Sequence, residues 1–272
     1  MPFKLERLAA NTGYNPIAPH RHGYYELFLF LTGSGLHMID FQEWQIVPGH
    51  FHFLSPGQIH YIRRTPETTG WVLKFAPEFI QNQEEGGQLL TRIPFMQSGR
   101  QPIIKPNKDD FDDLLVWVDQ IKQEVEKRGV GFNQLIYHYL KILLLKCHRL
   151  YDYSQSMDLS STSRNFQVLL EKHYLSRQPV SFYCEQLHVS DDKLNQELKR
   201  DFGQPAVTLM ARRLLLEAKR LLLHSDQSIK EIAYGLQFKD NAYFTRWFKK
   251  WASCSPGEFR EQNRKKYHSK QK

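Results

Sequence analysis

The chain has 272 residues, with 37 Lys and Arg against 29 Asp and Glu, and a formal net charge of +8 at pH 7. This length allows two domains that each bury a core. No apolar run approaches the roughly 18 residues of a transmembrane helix, and the charged first ten residues do not predict a signal peptide. Three widely spaced cysteines without a Cys-x-x-Cys motif indicate reduced thiols and a cytoplasmic protein: Cys147, Cys184 and Cys254.

The excess of positive charge is confined to the C-terminal part of the chain. Residues 1–157 contain 16 basic and 16 acidic residues, whereas residues 158–272 contain 21 and 13. A basic domain joined to a neutral one is typical of a module that binds a polyanion. A merely solvated basic surface has the same composition. Charge therefore indicates nucleic acid as a partner. The motifs have to distinguish this interpretation from that of a solvated basic surface.

Short strand-like segments fill the first hundred residues. Residues 26–31, 35–40 and 52–54 are rich in Phe, Leu, Ile and His, and turns containing Gly or Pro separate them. Many short strands predict a β-sandwich or small barrel, which we assign to residues 1–105.

From Asp109 onward the apolar period becomes helical. One stripe consists of Phe111, Leu114, Leu115, Val118 and Ile121, and a second of Leu135, Ile136, Tyr139, Ile142, Leu143 and Lys146. Two helices within residues 109–151 therefore complete an N-terminal domain, residues 1–153, and we expect them to pack on the barrel and against a second subunit. The Ser-rich residues 154–164 are the predicted linker, and residues 165–272 form an all-α domain.

This all-α domain contains a degenerate repeat. Residues 180–202 match residues 229–251, with an offset of 49 that becomes 50 after one extra residue in the turn. Each unit is predicted to be a short helix, a tight turn and a longer helix, which is a helix-turn-helix. A plain helical bundle with solvated faces shares this pattern, but two units in a basic segment favour DNA binding. The connector, residues 207–223, is long enough to hold two recognition helices about 34 Å apart.

The second helix of each unit has an apolar face and a polar face. The predicted core positions are Leu194, Leu198 and Phe202 in the first unit and Tyr243, Phe244, Trp247 and Phe248 in the second. Asp240 is placed to cap the second recognition helix, and Asp192 either accepts a hydrogen bond from cytosine or caps the first. The chemistry of Arg, Asn, Gln and small apolar groups suits base edges in the major groove. The predicted DNA-binding residues are Asp192, Asn195, Gln196, Lys199, Asn241, Ala242, Thr245, Arg246 and Lys249.

Four segments together resemble the signature of the AraC/XylS family of bacterial regulators. They are RLLLEAKRLLL from Arg213, SIKEIAYGLQF from Ser228, DNAYFTRWFKK from Asp240 and SPGEFR from Ser255. The resemblance implies that both recognition helices contact DNA and that the protein activates transcription together with RNA polymerase. It points to Asp192, Asn195 and Gln196 in the first unit and to Asn241, Ala242, Thr245 and Arg246 in the second. Gln237 and Ser253 stand where the family has glycine, so we expect modest strain at two turns.

The N-terminal domain carries a His-x-His-x3-Glu pattern at His20, His22 and Glu26, and a third histidine, His60, follows Ser-Pro-Gly-Gln-Ile. This resembles the paired motifs of the cupin jelly roll, in which three His and one Glu hold a metal. Regulators with cupin-like domains commonly keep remnants of the pattern without a metal, so we predict no metal. His37, His50 and His52 are interpreted as ordinary strand residues.

The barrel interior is the predicted effector site. Its candidate lining residues are His20, His22, Tyr24, Glu26, Phe28, His60 and Trp71, although aromatic residues also fill dry cores. The favoured function is a homodimeric one-component regulator of double-stranded DNA that responds to a small molecule and has no catalytic residues. A metal-dependent cupin enzyme with a nucleic-acid-binding appendage is the alternative, and a regulator without an effector is a third possibility.

Overall fold

Strands occupy the first part of the chain and helices the rest. The computed structural model describes residues 3–11, 18–81, 93, 95, 100–151 and 159–268, and the chain divides into two units, Met1–Asp152 and Tyr153–Lys272. None of the described helices is long and apolar enough to cross a membrane.

The N-terminal unit is built from two antiparallel sheets. The strands are β1 (Phe3–Leu8), β2 (Tyr25–Thr32), β3 (Gly35–Ile39), β4 (Gln42–Ile46), β5 (Phe51–Leu54), β6 (His60–Arg64), β7 (Thr69–Phe75) and β8 (Ile103–Ile104). One sheet has the order β1-β7-β2-β5-β8 and the other β4-β3-β6. This antiparallel, cupin-like domain confirms the predicted jelly-roll class.

Strand alternation divides the core of this unit in two. Leu27 and Leu29 on β2 belong to the core that the five-stranded sheet forms with two helices. Phe28 and Phe30, the alternate residues, belong to a second core that draws on both sheets and includes Ile39 and others. Successive side chains of a strand point to opposite faces, so even-numbered positions of β2 face the space between the sheets.

The helices of this unit are α1 (Pro77–Gln81), α2 (Lys108–Lys127) and α3 (Phe132–Leu150). The Asn107 side chain caps α2 by accepting a hydrogen bond from the Asp110 N–H. The two predicted helices are thus confirmed, but two members of the second predicted stripe are not buried. Leu135 is 37% exposed, and Lys146 forms an ion pair with Asp113 at 2.6 Å on the surface.

The described residues of the C-terminal unit form helices joined by short turns. Its helices are α4 (Ser161–His173), α5 (Val180–Leu187), α6 (Asp191–Phe202), α7 (Ala206–His224), α8 (Ile229–Gly235), α9 (Asn241–Ala252) and α10 (Pro256–His268), with a 3-10 turn at Tyr174–Ser176. The predicted repeat is confirmed as two helix-turn-helix units, α5–α6 and α8–α9, joined by α7.

The predicted linker, residues 154–164, ends too late. Residues 154–158 lie outside the described residues, but α4 already begins at Ser161. Ser160 caps this helix by accepting from the Ser163 N–H at 3.0 Å, and the Ser160 N–H donates to Asp201 at 2.9 Å. The first turn of this helix is polar, as is typical of a helix N-terminus. For this reason the sequence assigns its residues to the linker.

Candidate DNA-binding surface and effector pocket

The two helix-turn-helix units share one turn geometry. His188 and Gln237, separated by 49 positions, both adopt left-handed backbone conformations, with φ of 53° and 58°. The N–H groups of the residues that follow, Val189 and Phe238, donate to Cys184 and Ala233 carbonyls at 3.1 and 2.9 Å. Ser253 also has a positive φ, 64°, so both positions where the family has glycine require the left-handed conformation.

The recognition helices α6 and α9 also match in burial, residue by residue. Over residues 191–200 and 241–250, the fourth and eighth positions are buried, the fifth and seventh are half-buried, and the others are exposed. The buried residues are Leu194 and Leu198 in α6 and Phe244 and Phe248 in α9. Seven predicted DNA-binding residues are exposed: Asp192, Gln196, Lys199, Asn241, Ala242, Arg246 and Lys249.

The structure does not leave Asn195 available as the prediction requires. Its side-chain oxygen accepts from the Ala206 N–H at 2.9 Å. Its amide nitrogen donates to the Asp191 carbonyl at 3.2 Å and to the Asp191 carboxylate. The half-buried Asn195 thus satisfies a free N–H at the start of α7, one of the four that every helix exposes there.

Thr245 occupies the corresponding half-buried position in α9, and its hydroxyl donates to the Asn241 carbonyl at 2.8 Å. The hydroxyl is therefore engaged within the helix. Its methyl group is the part of this side chain that remains for contact with a thymine methyl.

Two details of the helix starts differ from the predictions. Asp240 caps α9 as expected, accepting from the Tyr243 N–H at 2.6 Å, but α6 is capped by Ser190 rather than Asp192. Tyr243, predicted to be core, is 42% exposed and contacts Phe238 with ring centroids 5.7 Å apart. Tyr243 lies in the first turn of α9, where the apolar face of the helix is not packed against the domain core.

Charged residues that are buried or half-buried hold the connector α7 in place. Arg213 donates through Nε to both carboxylate oxygens of Glu171, at 2.8 and 2.9 Å, and its guanidinium lies 3.7 Å from the Tyr174 ring centroid. Arg220, only 2% exposed, contacts Glu217 at 3.3 Å. These two arginines of the basic connector are therefore structural.

Arg177 joins the two halves of the C-terminal unit. It follows the 3-10 turn of the first half, and its guanidinium donates to the Gln237 carbonyl in the second half at 3.1 Å. The same group lies 4.1 Å from the centroid of the Phe238 ring. One side chain thus contacts the turn of the second helix-turn-helix through a hydrogen bond and a cation–π interaction.

The N-terminal unit brings His22, Glu26 and His60 together in its interior. His22 Nε2 lies 3.0 Å from Glu26 Oε2, and His60 Nε2 lies 3.6 Å from the same oxygen. The other carboxylate oxygen of Glu26 lies 3.4 Å from Lys74 Nζ. Among the described residues this is the one group whose His, Cys, Asp and Glu atoms could hold a metal, with all three ligand atoms within 4.8 Å of one another.

The other predicted pocket residues divide into two sets. Tyr24 stacks on His22 with ring centroids 3.9 Å apart, His20 lies 4.3 Å from His60 by the same measure, and Phe28 lies 6.1 Å from it. Trp71 is elsewhere, because it belongs to the odd-numbered face of β7 that packs with the helices and lies under Lys122 of α2. The structure does not bring Trp71 to the histidine cluster.

Sequence reasoning missed His37 and His52, which are fully buried beside the cluster. His37 Nε2 lies 3.2 Å from His60 Nδ1, and His37 Nδ1 lies 3.2 Å from His52 Nδ1. Burial lowers the pKa of His37 and of His60 well below the ordinary value and that of His52 to about 3, so all three are neutral at physiological pH. The alternation of side chains along the strand could have identified His52 as an interior residue. His52 lies on the same face of β5 as Leu54, a residue of the inter-sheet core.

A β-sandwich with a polar interior and a helical unit with two matched helix-turn-helix motifs define a transcription regulator with a ligand-binding domain. The family model of the AraC-like ligand binding domain matches residues 2–169, and that of the helix-turn-helix domain matches residues 183–262. The chain belongs to the AraC family of transcription regulators.

The alignments with relatives of similar sequence cover most of the chain. The HTH-type transcriptional activator RhaS of Escherichia coli O81 (strain ED1a) is 24% identical in an alignment of 248 positions that covers 89% of this chain and 87% of RhaS. RhaS of Enterobacter sp. (strain 638) is 23% identical in an alignment of 267 positions that covers 92% of this chain and 94% of RhaS. Among solved structures, ToxT from Vibrio cholerae O395 aligns over 95% of this chain and 96% of its own, with 15% identity and a TM-score of 0.45.

Proposed function

We propose that this regulator reads DNA with α6 and α9 in successive major grooves and activates transcription when a small molecule binds between its sheets. The observation that carries the DNA-binding part is the matched exposure of α6 and α9, because it presents two equivalent polar faces on one unit. The proposed contacts are Asp192, Gln196, Lys199, Asn241, Ala242, Thr245, Arg246 and Lys249. Asn195 is left out because its amide is engaged inside the domain.

The two recognition helices have different electrostatic character. The first turn of α6 carries Asp191 and Asp192, whereas α9 has no acidic residue in its first turn and has Lys249 and Lys250 in its last. We assign most of the phosphate and guanine contact to α9, through Arg246 and Lys249, and more of the base discrimination to α6, through Asp192 and Gln196.

The proposed effector site consists of His20, His22, Tyr24, Glu26 and His60, with Phe28 beside them, and the ring contacts and the Glu26 ion pairs of these residues support the grouping. A ligand that binds one arrangement of the regulator more tightly shifts the population toward it. The similarity to RhaS, a transcriptional activator, supports activation, and we propose RNA polymerase as the partner in that step. We further propose a cytoplasmic homodimer, because two linked copies raise the effective concentration of each DNA-binding unit.

We assign the pocket a binding role and not a catalytic one, since the family to which the chain belongs consists of transcription regulators. On this view the N-terminal unit, residues 1–153, senses the effector, and the C-terminal unit binds the operator.

The test is specific DNA binding by Arg246→Ala and Gln196→Ala, with Arg164→Ala as control because Arg164 is exposed on α4 and outside both recognition helices. We expect Arg246→Ala to weaken specific binding by about 1–3 kcal/mol and to relax the preference at one base position. Arg164→Ala should leave base preference unchanged. Specific binding that is indifferent to both Arg246 and Gln196 would overturn the assignment of the reading faces.

A further inference from the structure

Three of the buried polar atoms without a hydrogen-bond partner among the described residues lie close together in the N-terminal unit. They are His22 Nε2, Glu26 Oε2 and His60 Nε2, each of them buried. Leaving a buried polar atom unsatisfied destabilises the fold, because the atom has lost its water without gaining a partner. Three such atoms that converge within 4.8 Å form an arrangement that a ligand placed between them would satisfy.

The hydrogen-bond partner of His22 Nδ1 indicates that this ligand is a cation. His22 Nδ1 lies 2.8 Å from the Tyr24 carbonyl oxygen, and a carbonyl only accepts, so Nδ1 carries the hydrogen of the neutral ring. In the neutral ring, Nε2 then presents a lone pair to the Glu26 carboxylate oxygen, 3.0 Å away, whereas a doubly protonated ring would donate to that oxygen. Two facing acceptors repel each other, and a cation between them removes the repulsion.

A chain of buried histidines orients His60 so that its Nε2 also presents a lone pair. When His60 Nδ1 donates to His37 Nε2, His37 Nδ1 carries the other hydrogen and donates to His52 Nδ1, and both N···N distances are 3.2 Å. This direction of the chain leaves His60 Nε2 with a lone pair that faces Glu26. Partners of this kind, which fix the tautomer and orientation of a ligating histidine, are typical of metal sites.

We propose that His22, Glu26 and His60 bind one divalent transition-metal ion and that His37 and His52 are positioning residues that hold His60 in the metal-binding tautomer. Two imidazoles and one carboxylate suit zinc, nickel, cobalt or iron. This revises the expectation of no metal, and it differs from the four-ligand set that the cupin resemblance implies. His20 is not one of the three clustered ligands, and its Nδ1 lies 3.1 Å from the Ala18 carbonyl.

A site with three protein ligands leaves coordination positions for an exogenous group. The effector class that fits is therefore a small molecule with an oxygen or nitrogen donor, or the metal ion itself. This inference deepens the effector pocket of the proposed function and rests on that proposal for the use of the site. Metal binding itself is measured without DNA.

The experiment uses the full chain, freed of metal with a chelator and titrated with Co²⁺, whose visible absorption reports its ligands. We expect one Co²⁺ per chain, displaced by one Zn²⁺. Glu26→Gln and His60→Gln should each weaken binding at least about 100-fold, and His138→Gln, at an exposed histidine of α3, should match the wild type. Glu26→Gln is nearly isosteric, so it keeps the test valid if His60→Gln does not fold.

The positioning role of His37 has its own readout. His37→Phe removes the acceptor for His60 Nδ1–H and should weaken Co²⁺ binding about 10–100-fold, whereas His37→Gln restores an acceptor and should recover much of the affinity. In the zinc-loaded protein, ¹⁵N spectra should show a protonated Nδ1 on His60. Wild-type protein that binds Co²⁺ no better than Glu26→Gln overturns the metal site. If that protein still binds DNA specifically in an Arg246-dependent way, the proposed function stands without the metal.

Discussion

Adjacent residues of α6 differ in their surroundings. Asn195 and Gln196 follow each other in α6, yet the Asn195 amide bonds to Ala206 and Asp191, whereas Gln196 is exposed. We predict that Asn195→Ala lowers the free energy of unfolding by about 1 kcal/mol, because it frees an N–H at the start of α7. Gln196→Ala should leave stability within about 0.5 kcal/mol and relax base preference at one position.

Urea unfolding of both variants, together with binding to a set of operators with single base changes, separates the two roles. An Asn195→Ala protein with wild-type stability and altered base preference would return Asn195 to the reading face and refute the structural assignment.

Asp201 supplies a second prediction, on pH dependence. Its side chain is fully shielded and accepts from the Ser160 N–H at 2.9 Å and from Arg200 Nε at 2.7 Å. Burial alone would raise the pKa of this carboxyl, but hydrogen bonds from Arg200, Ser163 and Ser160 outweigh it and hold the pKa well below the ordinary 3.8. A lowered folded-state pKa stabilises the fold above the unfolded-state value and ceases to do so as pH falls through the folded-state value.

We therefore expect Asp201→Ala to lower stability by about 1–3 kcal/mol at pH 7 and by clearly less at about pH 3, measured by urea unfolding at both pH values. The exposed Asp192 provides the control, since Asp192→Ala should change stability by less than about 0.5 kcal/mol. An Asp201→Ala effect as large at pH 3 as at pH 7 would contradict this account.

For single residues, the sequence predicts which side chains are exposed better than it predicts which residues they contact. The period of three and four correctly separated Leu194 and Leu198 from Gln196 and Lys199, because burial on a helix follows spacing. It could not show that the Asn195 oxygen meets an N–H eleven residues later. It also could not show that His37 and His52, on different strands, meet in the interior, since such contacts depend on strand pairing.

The two recognition helices show how a repeat preserves geometry while its residues change. Gly203 ends α6 and Ser253 ends α9, and both are left-handed, with φ of 67° and 64°. Glycine adopts this conformation freely, whereas other residues incur strain. Element types and most bounds were predictable because caps and apolar periods are local signals. The start of α4 was not, because its polar first turn resembles a linker.

The shared left-handed conformation of Gly203 and Ser253 predicts opposite effects of exchanging the two residue types. Ser253→Gly should stabilise the C-terminal unit by up to about 1 kcal/mol, and Gly203→Ser should destabilise it by a similar amount, as measured by the midpoint of thermal unfolding. Nothing lies within 4 Å of a Cβ added at Gly203, so backbone strain and not a clash sets the effect there. Changes of the same sign in the two variants would show that the strain argument is wrong.

On the scale of the whole chain, charge and function are divided between the units. Residues 158–272 contain the entire excess of basic residues, 21 against 13, and part of that charge is used internally, as by Arg213 and Arg220. Lys199 and Lys249 are exposed at equivalent positions of the recognition helices. They are therefore the lysines that we expect to contact phosphates in the two half-sites.

The salt dependence of DNA binding tests this division. Each phosphate contact releases condensed counterions, so the logarithm of the binding constant falls linearly with the logarithm of salt concentration. We predict that Lys199→Gln and Lys249→Gln each reduce the magnitude of that slope by about 1 and weaken binding to all sequences to a similar degree. Lys127→Gln, in the neutral N-terminal unit at the end of α2, should leave the slope unchanged. A slope that responds to Lys127 but not to Lys199 or Lys249 would mean that DNA lies against a different surface, because counterion release counts only the charges that reach the phosphates.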